Sequence, residues 1–363
     1  MKSSSAMPLP SVGCRSTSRA SSAPCSPGSR RKTRSRAAEV QDGRMSLHLK
    51  PLPATRFEAW VTTARQRLID RNRESGRRLG ADAVGHVEQV FGDLFPEGGA
   101  ASTTRVMRIV DDADGELGTL VLALSGQKML LLDLDLDIGL GGAETLSDAQ
   151  NEGLLALLLP IARDMGATQI GAQLFPQDTA GRVFAEQSGF EVASIQMVLE
   201  PLPVRDVAPH VEVSPMTAER FPRFAAASEE GFAHDLVASG RYTSEEAIAE
   251  SHRQMVEELP DGLDTEGQEF FTASVDGTEV GILWFGMRRR DGRPQAFILD
   301  IEVAADQRRR GYGRALMHAA EREARRLGAD SIGLHAFGFN TGAVDLYEQL
   351  GYRRTEESLL REV

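Results

Sequence analysis

The chain repeats itself once, and this repeat constrains the fold more than any other feature. Residues 49–57 match 213–221 at an offset of 164, where Pro51, Ala54, Arg56 and Phe57 recur as Pro215, Ala218, Arg220 and Phe221. Ser75-Gly76 and Pro96 recur as Ser239-Gly240 and Pro260 at the same offset. Residues 166–171 match 328–333 at an offset of 162, and Phe175, Thr179, Glu186-Gln187 and Gly189 then recur as Phe337, Thr341, Glu348-Gln349 and Gly351. Small loop insertions leave such a drift of two residues. Two homologous domains are expected, 47–200 and 211–363, joined by a Pro-rich linker over 201–210.

Periodicity in the second domain predicts helices over 219–237 and 244–258. Strands follow over 270–275, 279–287 and 296–303, with Asp276-Gly277 as a tight hairpin between the first two. An amphipathic helix over 315–327 ends at Gly328; then come a strand over 331–337, a helix over 341–350 and a strand pair from 352 onward. The order β-α-α-β-β-β-α-β-α-β makes each domain α/β, with a mixed, mostly antiparallel sheet flanked by helices.

Charge separates the N-terminus from the rest. Of a formal −12 over 363 residues, residues 1–44 carry nine Lys/Arg against two Asp/Glu, so the remainder is at −19. This Ser/Arg-rich stretch, 1–46, has few large apolar residues and is expected to be a disordered tail or an over-extended start at Met45; a transit peptide or a basic arm are the other readings. It has no continuous apolar segment of the secretory kind, so a cytoplasmic protein is expected. The acidic body argues against nucleic acid. No apolar run approaches the ~18 residues of a membrane span. Cys14 and Cys25 are the two cysteines, which excludes disulfide scaffolds, Cys-based zinc sites and a cysteine nucleophile after residue 25.

The densest chemical signal lies between the strand over 296–303 and the helix over 315–327: Gln307-Arg308-Arg309-Arg310-Gly311-Tyr312-Gly313-Arg314. Glycines allow close backbone approach, a helix N-terminus adds roughly half a positive charge, and four arginines against Asp306 favour a phosphate. The spacing fits neither a Rossmann fingerprint, since Leu316 stands where a third small residue belongs, nor a P-loop. On the preceding strand Asp300 and Glu302 share one face, roughly 7 Å apart, opposite Leu299, Ile301 and Val303. Paired carboxylates suit a general base; a solvated strand face is the alternative.

Residues 308–313 fit the Arg/Gln-x-x-Gly-x-Gly/Ala acyl-CoA signature, and 334–340 with 346–352 resemble its companion motif in the GNAT N-acetyltransferase superfamily. The resemblance covers the second domain and makes the chain look like a tandem member with a degenerate N-terminal copy. It implies acetyl-CoA as donor, its pyrophosphate on Gln307–Arg314 and its pantetheine arm near Val303, wedged against the strand over 331–337, with no metal. Asn340 matches a residue that hydrogen-bonds the cofactor, though it also stands at a helix N-cap. Tyr347 matches the tyrosine that protonates the departing thiolate, with a core aromatic as the alternative. Glu302 is the preferred base, Asp300 the second, and direct transfer in a ternary complex the mechanism. A backbone N–H near Val303 would receive the oxyanion. His335, between apolar neighbours, reads as structural.

Carrying the offset of 162 back puts Ala149 and Asn151 at the glycine positions, Ala185 at the tyrosine and Asp178 at the asparagine. The loop over 139–152 carries Glu144, Asp148 and Glu152, which would repel a pyrophosphate, so this copy is expected to lack cofactor and to serve as scaffold. Asp133 and Asp135 need no more than a wet strand face. The acceptor is expected to be a small-molecule or protein amine, its pocket lined by Trp284, Phe285, Met287 and the Met255 helix unless these are core. The assembly is expected to be a monomer or homodimer. A non-catalytic CoA-binding sensor is the alternative function.

Overall fold

The computed structural model describes residues 46–96, 103–136, 145–205 and 210–363. The basic tail with both cysteines and the 139–144 part of the acidic loop lie outside the described residues. Two halves run through one order of elements. The first is β1 (His48–Pro51), α1 (Ala54–Ser75), α2 (Gly80–Leu94), β2 (Thr104–Val110), β3 (Glu116–Ser125), β4 (Lys128–Asp135), α3 (Asp148–Asp164), β5 (Gln169–Leu174), α4 (Thr179–Gln187) and β6 (Glu191–Leu199). The second is β7 (Glu212–Pro215), α5 (Phe221–Ala238), α6 (Ser244–Glu258), β8 (Gln268–Val275), β9 (Thr278–Arg290), β10 (Arg293–Val303), α7 (Tyr312–Arg326), β11 (Ser331–Phe337), α8 (Thr341–Gln349) and β12 (Arg353–Glu362). The order matches the periodicity reading, with one correction: a single strand, not a pair, follows Tyr352.

Each half has a core on both faces of its sheet. Ala315, Leu316, Ala320 and Ala324 form the buried stripe of α7, packed with α8 on Ile298, Ile301 and Leu334. On the other face α5 and α6 cover Phe270, Trp284, Phe297 and Leu299 through Phe224 and Met255. In the first half α3 and α4 cover one face and α1 and α2 the other. None of the described helices is long and apolar enough to cross a membrane.

The halves do not end where the linker does. All the described strands form one sheet in the order β1-β2-β3-β4-β5-β12-β6-β11-β10-β9-β8-β7. β12 lies antiparallel between β5 and β6, and β6 lies antiparallel between β12 and β11. It follows that β5 and β6 are parallel with a gap one strand wide, and so are β11 and β12. Each half closes the gap of the other. The linker is held down as well: Arg205 Nε donates to Glu321 Oε2 at 2.6 Å, and Arg325 reaches the Pro203 carbonyl.

The repeated Ser-Gly pairs belong to this junction. Gly76 and Gly240 each end the first helix of their half in the left-handed region, at φ 70°. The Gly76 carbonyl accepts from Arg290 Nη2 at 2.5 Å, and the Gly240 carbonyl accepts from Gln169 Nε2 at 3.2 Å, so each turn docks on the opposite half. Glycine suits the Gly76 turn because of its positive φ, and a Cβ there would displace the Arg353 guanidinium, 2.1 Å away.

Two histidines are kept neutral. Burial, with Arg78 and Arg77 beside it, pulls His86 down to about 4, and full burial holds His335 well below 6.5. Below about pH 6.5 the unfolded chain therefore binds protons that the native state refuses, so stability falls on acidification. For His335 the slope approaches about 1.4 kcal/mol per pH unit. Urea midpoints measured between pH 7 and 5 should drop, with a shallower fall in His86→Gln; parallel curves for the two proteins would contradict this.

Candidate functional site

The site forms where β10 and β11 part. Their parallel ladder runs from Gln295↔Ser331 to Ile298↔Leu334 and stops, although β10 continues to Val303 and β11 to Phe337. The cause is local: a β-bulge at Leu299 shifts the register of β10 on β9 between Ile298 and Asp300. The diverging strands leave a wedge with main-chain edges on both walls.

The bulge also corrects the expected alternation. Asp300 and Glu302 pair across the ladder with Trp284 and Ile282 and share their face, under α5 and α6. Leu299 packs in that same cluster instead of opposite it, whereas Ile301 and Val303 do face the other way, toward α7. Ser228 on α5 donates to Asp300 Oδ2 at 2.7 Å. Sequence reasoning missed Ser228, which carries no motif. Trp284 is core and bonds through Nε1 to Gln268 at 2.7 Å, and Phe285 is core on the opposite face, so these two do not line an acceptor pocket together.

The basic loop closes the wedge at the Val303 end. After a 3-10 turn over Ala305–Gln307 the chain takes positive φ at Arg309 (64°) and Gly311 (87°), which turns successive backbone groups outward. Gly311 is the N-cap of α7 and supplies no side-chain cap, so the first N–H groups of that helix keep their donors for a ligand. Gly313 lets α7 close on its neighbours: a Cβ there would stand 3.3 Å from Leu346 Cδ2 and 3.9 Å from Val303 Cγ2. Part of the arginine set braces the loop. Arg308 Nε donates to the Val303 carbonyl at 3.1 Å, Arg310 to the Asp306 carbonyl at 3.4 Å, and Arg314 to Gln349 at 2.8 Å. The Arg309 guanidinium reaches toward Gly342 in the first turn of α8. Gln307 donates to Asp306 at 3.1 Å, and Tyr312 is buried.

Asn340 is buried at the N-cap position of α8, but its side chain makes no cap bond to that helix. Tyr347 is 2 % exposed and packs 6.0 Å from Tyr352, in the cluster that also holds Val303 and Tyr312. His335 is buried on β11 edge-on to Phe337, in agreement with a structural role. A second residue that sequence reasoning missed is Gly338, where a Cβ would fall 1.7 Å from the Val192 carbonyl of β6. The turn between β11 and α8 thus rests on a strand of the first half.

The counterpart site in the first half keeps the parting strands and the bulge, at Leu132, but differs at the helix start and around the carboxylates. α3 has Ser147 as its N-cap; the Ser147 side chain accepts from Gln150 N while Gln150 reaches back to the Ser147 N–H, a reciprocal side-chain cap where α7 has a bare glycine. Asp133 and Asp135 are not on a wet face: they are 8 % and 2 % exposed. Arg67 pairs with both, and Arg71 joins Asp133 at 3.0 Å and Asp178 at 2.9 Å. The arginines come from α1, more than sixty residues earlier, which is why the strand pattern alone misleads.

The sequence family described as Acetyltransferase (GNAT) family matches residues 237–352. YdgE of Bacillus subtilis (strain 168), named an uncharacterized N-acetyltransferase, is 31% identical over 141 residues, 39% of this chain and 90% of its own. The crystal structure of the Bacillus subtilis acetyltransferase YycN aligns at 28% identity over 40% of this chain and 93% of its own, with a TM-score of 0.38. A tandem GNAT protein from the clavulanic acid biosynthesis pathway aligns over 87% of this chain and 98% of its own at 17% identity, with a TM-score of 0.38. Matched by that family over its glycine loop, and by a relative across nine-tenths of the relative's length, the chain belongs to the GNAT acetyltransferase family and is an acyltransferase.

Proposed function

We propose that the second half transfers acetyl from acetyl-CoA directly to a primary amine, both substrates being bound at once. The observation that carries this reading is the pairing of a glycine-capped, donor-rich start of α7 with the wedge between β10 and β11. The pyrophosphate meets Gln307 to Arg314, and the pantetheine arm extends along the free edge of β10 toward the bulge, with Asn340 on the far wall. The first half holds no cofactor, because its helix N-terminus is already capped.

An alkyl ammonium, with a pKa near 10, must lose a proton before it can attack. Glu302 takes that proton through water. Asp300 is the weaker candidate because the Ser228 hydroxyl already stabilises its anion. The amine nitrogen adds to the thioester carbonyl, and a main-chain N–H at the unpaired end of β10 receives the oxyanion. Collapse of the adduct breaks the C–S bond, and Tyr347 protonates the leaving thiolate. With no cysteine after residue 25, no acyl-cysteine intermediate forms.

Free-thiol release with acetyl-CoA and a panel of amines tests this reading. Turnover with at least one amine is expected, while coenzyme A binding without turnover of any acceptor would mark a binding module instead. Tyr347→Phe should lower kcat roughly 100-fold, with coenzyme A affinity nearly unchanged in calorimetry. Equal losses in both would assign Tyr347 to packing.

A further inference from the structure

The linker between the halves reaches the helices of the site through one side chain. Arg205 Nε donates to Glu321 Oε2 on α7 at 2.6 Å, and Arg205 Nη2 donates to the Leu350 carbonyl just past the end of α8. Carbonyls at a helix end have no partner within the helix, so this one is free to be held from outside. The chain then reverses at Gly351, with φ of 93°, and the Tyr352 N–H returns to the Tyr347 carbonyl at 3.0 Å. Arg205 thus clips the last turn of α8, which carries Tyr347, onto α7, whose start is the glycine cap. Arg325 on α7 fastens the same stretch of linker through the Pro203 carbonyl.

This contact is charged and buried. Glu321 is 1 % exposed; burial pushes its carboxyl up, and Arg205 opposes that shift. Full burial, with Glu321 and Tyr347 beside it, holds the Tyr352 hydroxyl well above 10, and the rings of Tyr352 and Tyr347 lie 6.0 Å apart. Taking an ion pair out of water offsets most of what the pairing returns, so stability alone is a weak reason to keep one. The first half shows that the fold does without it. There α4 closes on the same main-chain bond, from the Phe190 N–H to the Ala185 carbonyl at 3.0 Å. At the offset of 162, however, Glu321 becomes Leu159, Tyr352 becomes Phe190 and Tyr347 becomes Ala185. Leu159 and Phe190 both belong to the apolar core of that half. The polar set therefore accompanies the tyrosine, and the copy that lacks the tyrosine packs apolar side chains in its place.

We propose that Arg205 is a positioning residue for the transfer step: paired with Glu321 and bonded to the Leu350 carbonyl, it fixes the last turn of α8 so that the Tyr347 hydroxyl stands at the departing sulfur. Arg205 touches neither substrate and acts through Tyr347. The linker, which belongs to neither repeat, thereby takes part in the chemistry of the second half. This inference rests on the transferase reading above and adds a residue to it.

The test uses the full chain with Arg205→Met and Glu321→Leu combined, which removes both charges and leaves neither buried alone. Urea midpoint and coenzyme A affinity should stay close to those of the parent protein, while kcat falls roughly 10-fold because the acid is misplaced. Adding Tyr347→Phe to the pair should give the kcat of Tyr347→Phe alone, since a residue that acts through Tyr347 has nothing further to lose. Amide exchange over residues 347–352 should quicken. If the combined variant does not fold, Arg205→Lys takes its place in the same comparison: it keeps the cation, gives up the two-pronged hold and should lower kcat a few-fold, again with no further loss on Tyr347→Phe. Losses that multiply with Tyr347→Phe, an unchanged kcat or unchanged exchange would overturn the proposal and leave the transferase reading standing. If the parent protein releases no thiol with any amine, the transferase reading falls and exchange decides alone. Faster exchange over 347–352 would then keep Arg205 as the residue that fixes Tyr347, and unchanged exchange would overturn it.

Discussion

Residues 211–363 expressed without the first half should give no folded monomer. In the intact chain β11 and β12 are parallel strands with β6 between them, so removing the first half leaves a gap two strand spacings wide, about 9.5 Å. No helix or loop of the second half can satisfy the exposed edges, and an unpaired strand edge invites pairing with another chain. Two copies that each lend β12 to the other, or insoluble material, are the expected products. Co-expression with residues 46–205 should restore a soluble complex. Light scattering and chemical denaturation check this, and a monomeric fragment with one cooperative transition would contradict the strand exchange.

Glu302→Gln should lower kcat/KM roughly 100- to 10,000-fold, the range expected when a positioned general base is lost. Coenzyme A affinity should hardly change, because the glycine-capped start of α7 is untouched. Asp300→Asn should cost less, since Ser228 already engages its carboxylate. Raising the pH should partly rescue Glu302→Gln, as solvent supplies more free amine. Steady-state rates at pH 7 and 9 decide the matter; the reverse ranking of the two variants would move the base to Asp300.

Local signals in the sequence were legible and distant ones were not. The spacing that predicts a helix over 244–258 and a strand over 331–337 meets α6 and β11 at their observed bounds, because caps, turns and apolar periods act within a few residues. Gly311 and Gly313 could be singled out for the same reason: the shortage of side chain at a helix start is visible in the string itself. The destination of β12 was not visible, since Arg353–Glu362 pairs with strands more than 150 residues earlier and its pattern does not name its neighbours. The bulge at Leu299 was hidden too, because an inserted residue breaks the two-residue period from which faces are read. Asp133 and Asp135 read as solvated until Arg67 and Arg71 arrive from α1. The repeat held the missing clue, since comparing α1 with α5 position by position shows where one half carries arginine and the other does not.

The most direct measurement is calorimetric titration of the full chain with coenzyme A, beside Gly313→Glu. The account predicts one site per chain, lost in the variant, whose longer, charged side chain would stand against Leu346 and push apart the start of α7. Two sites per chain, none, or a single site that survives Gly313→Glu would contradict it.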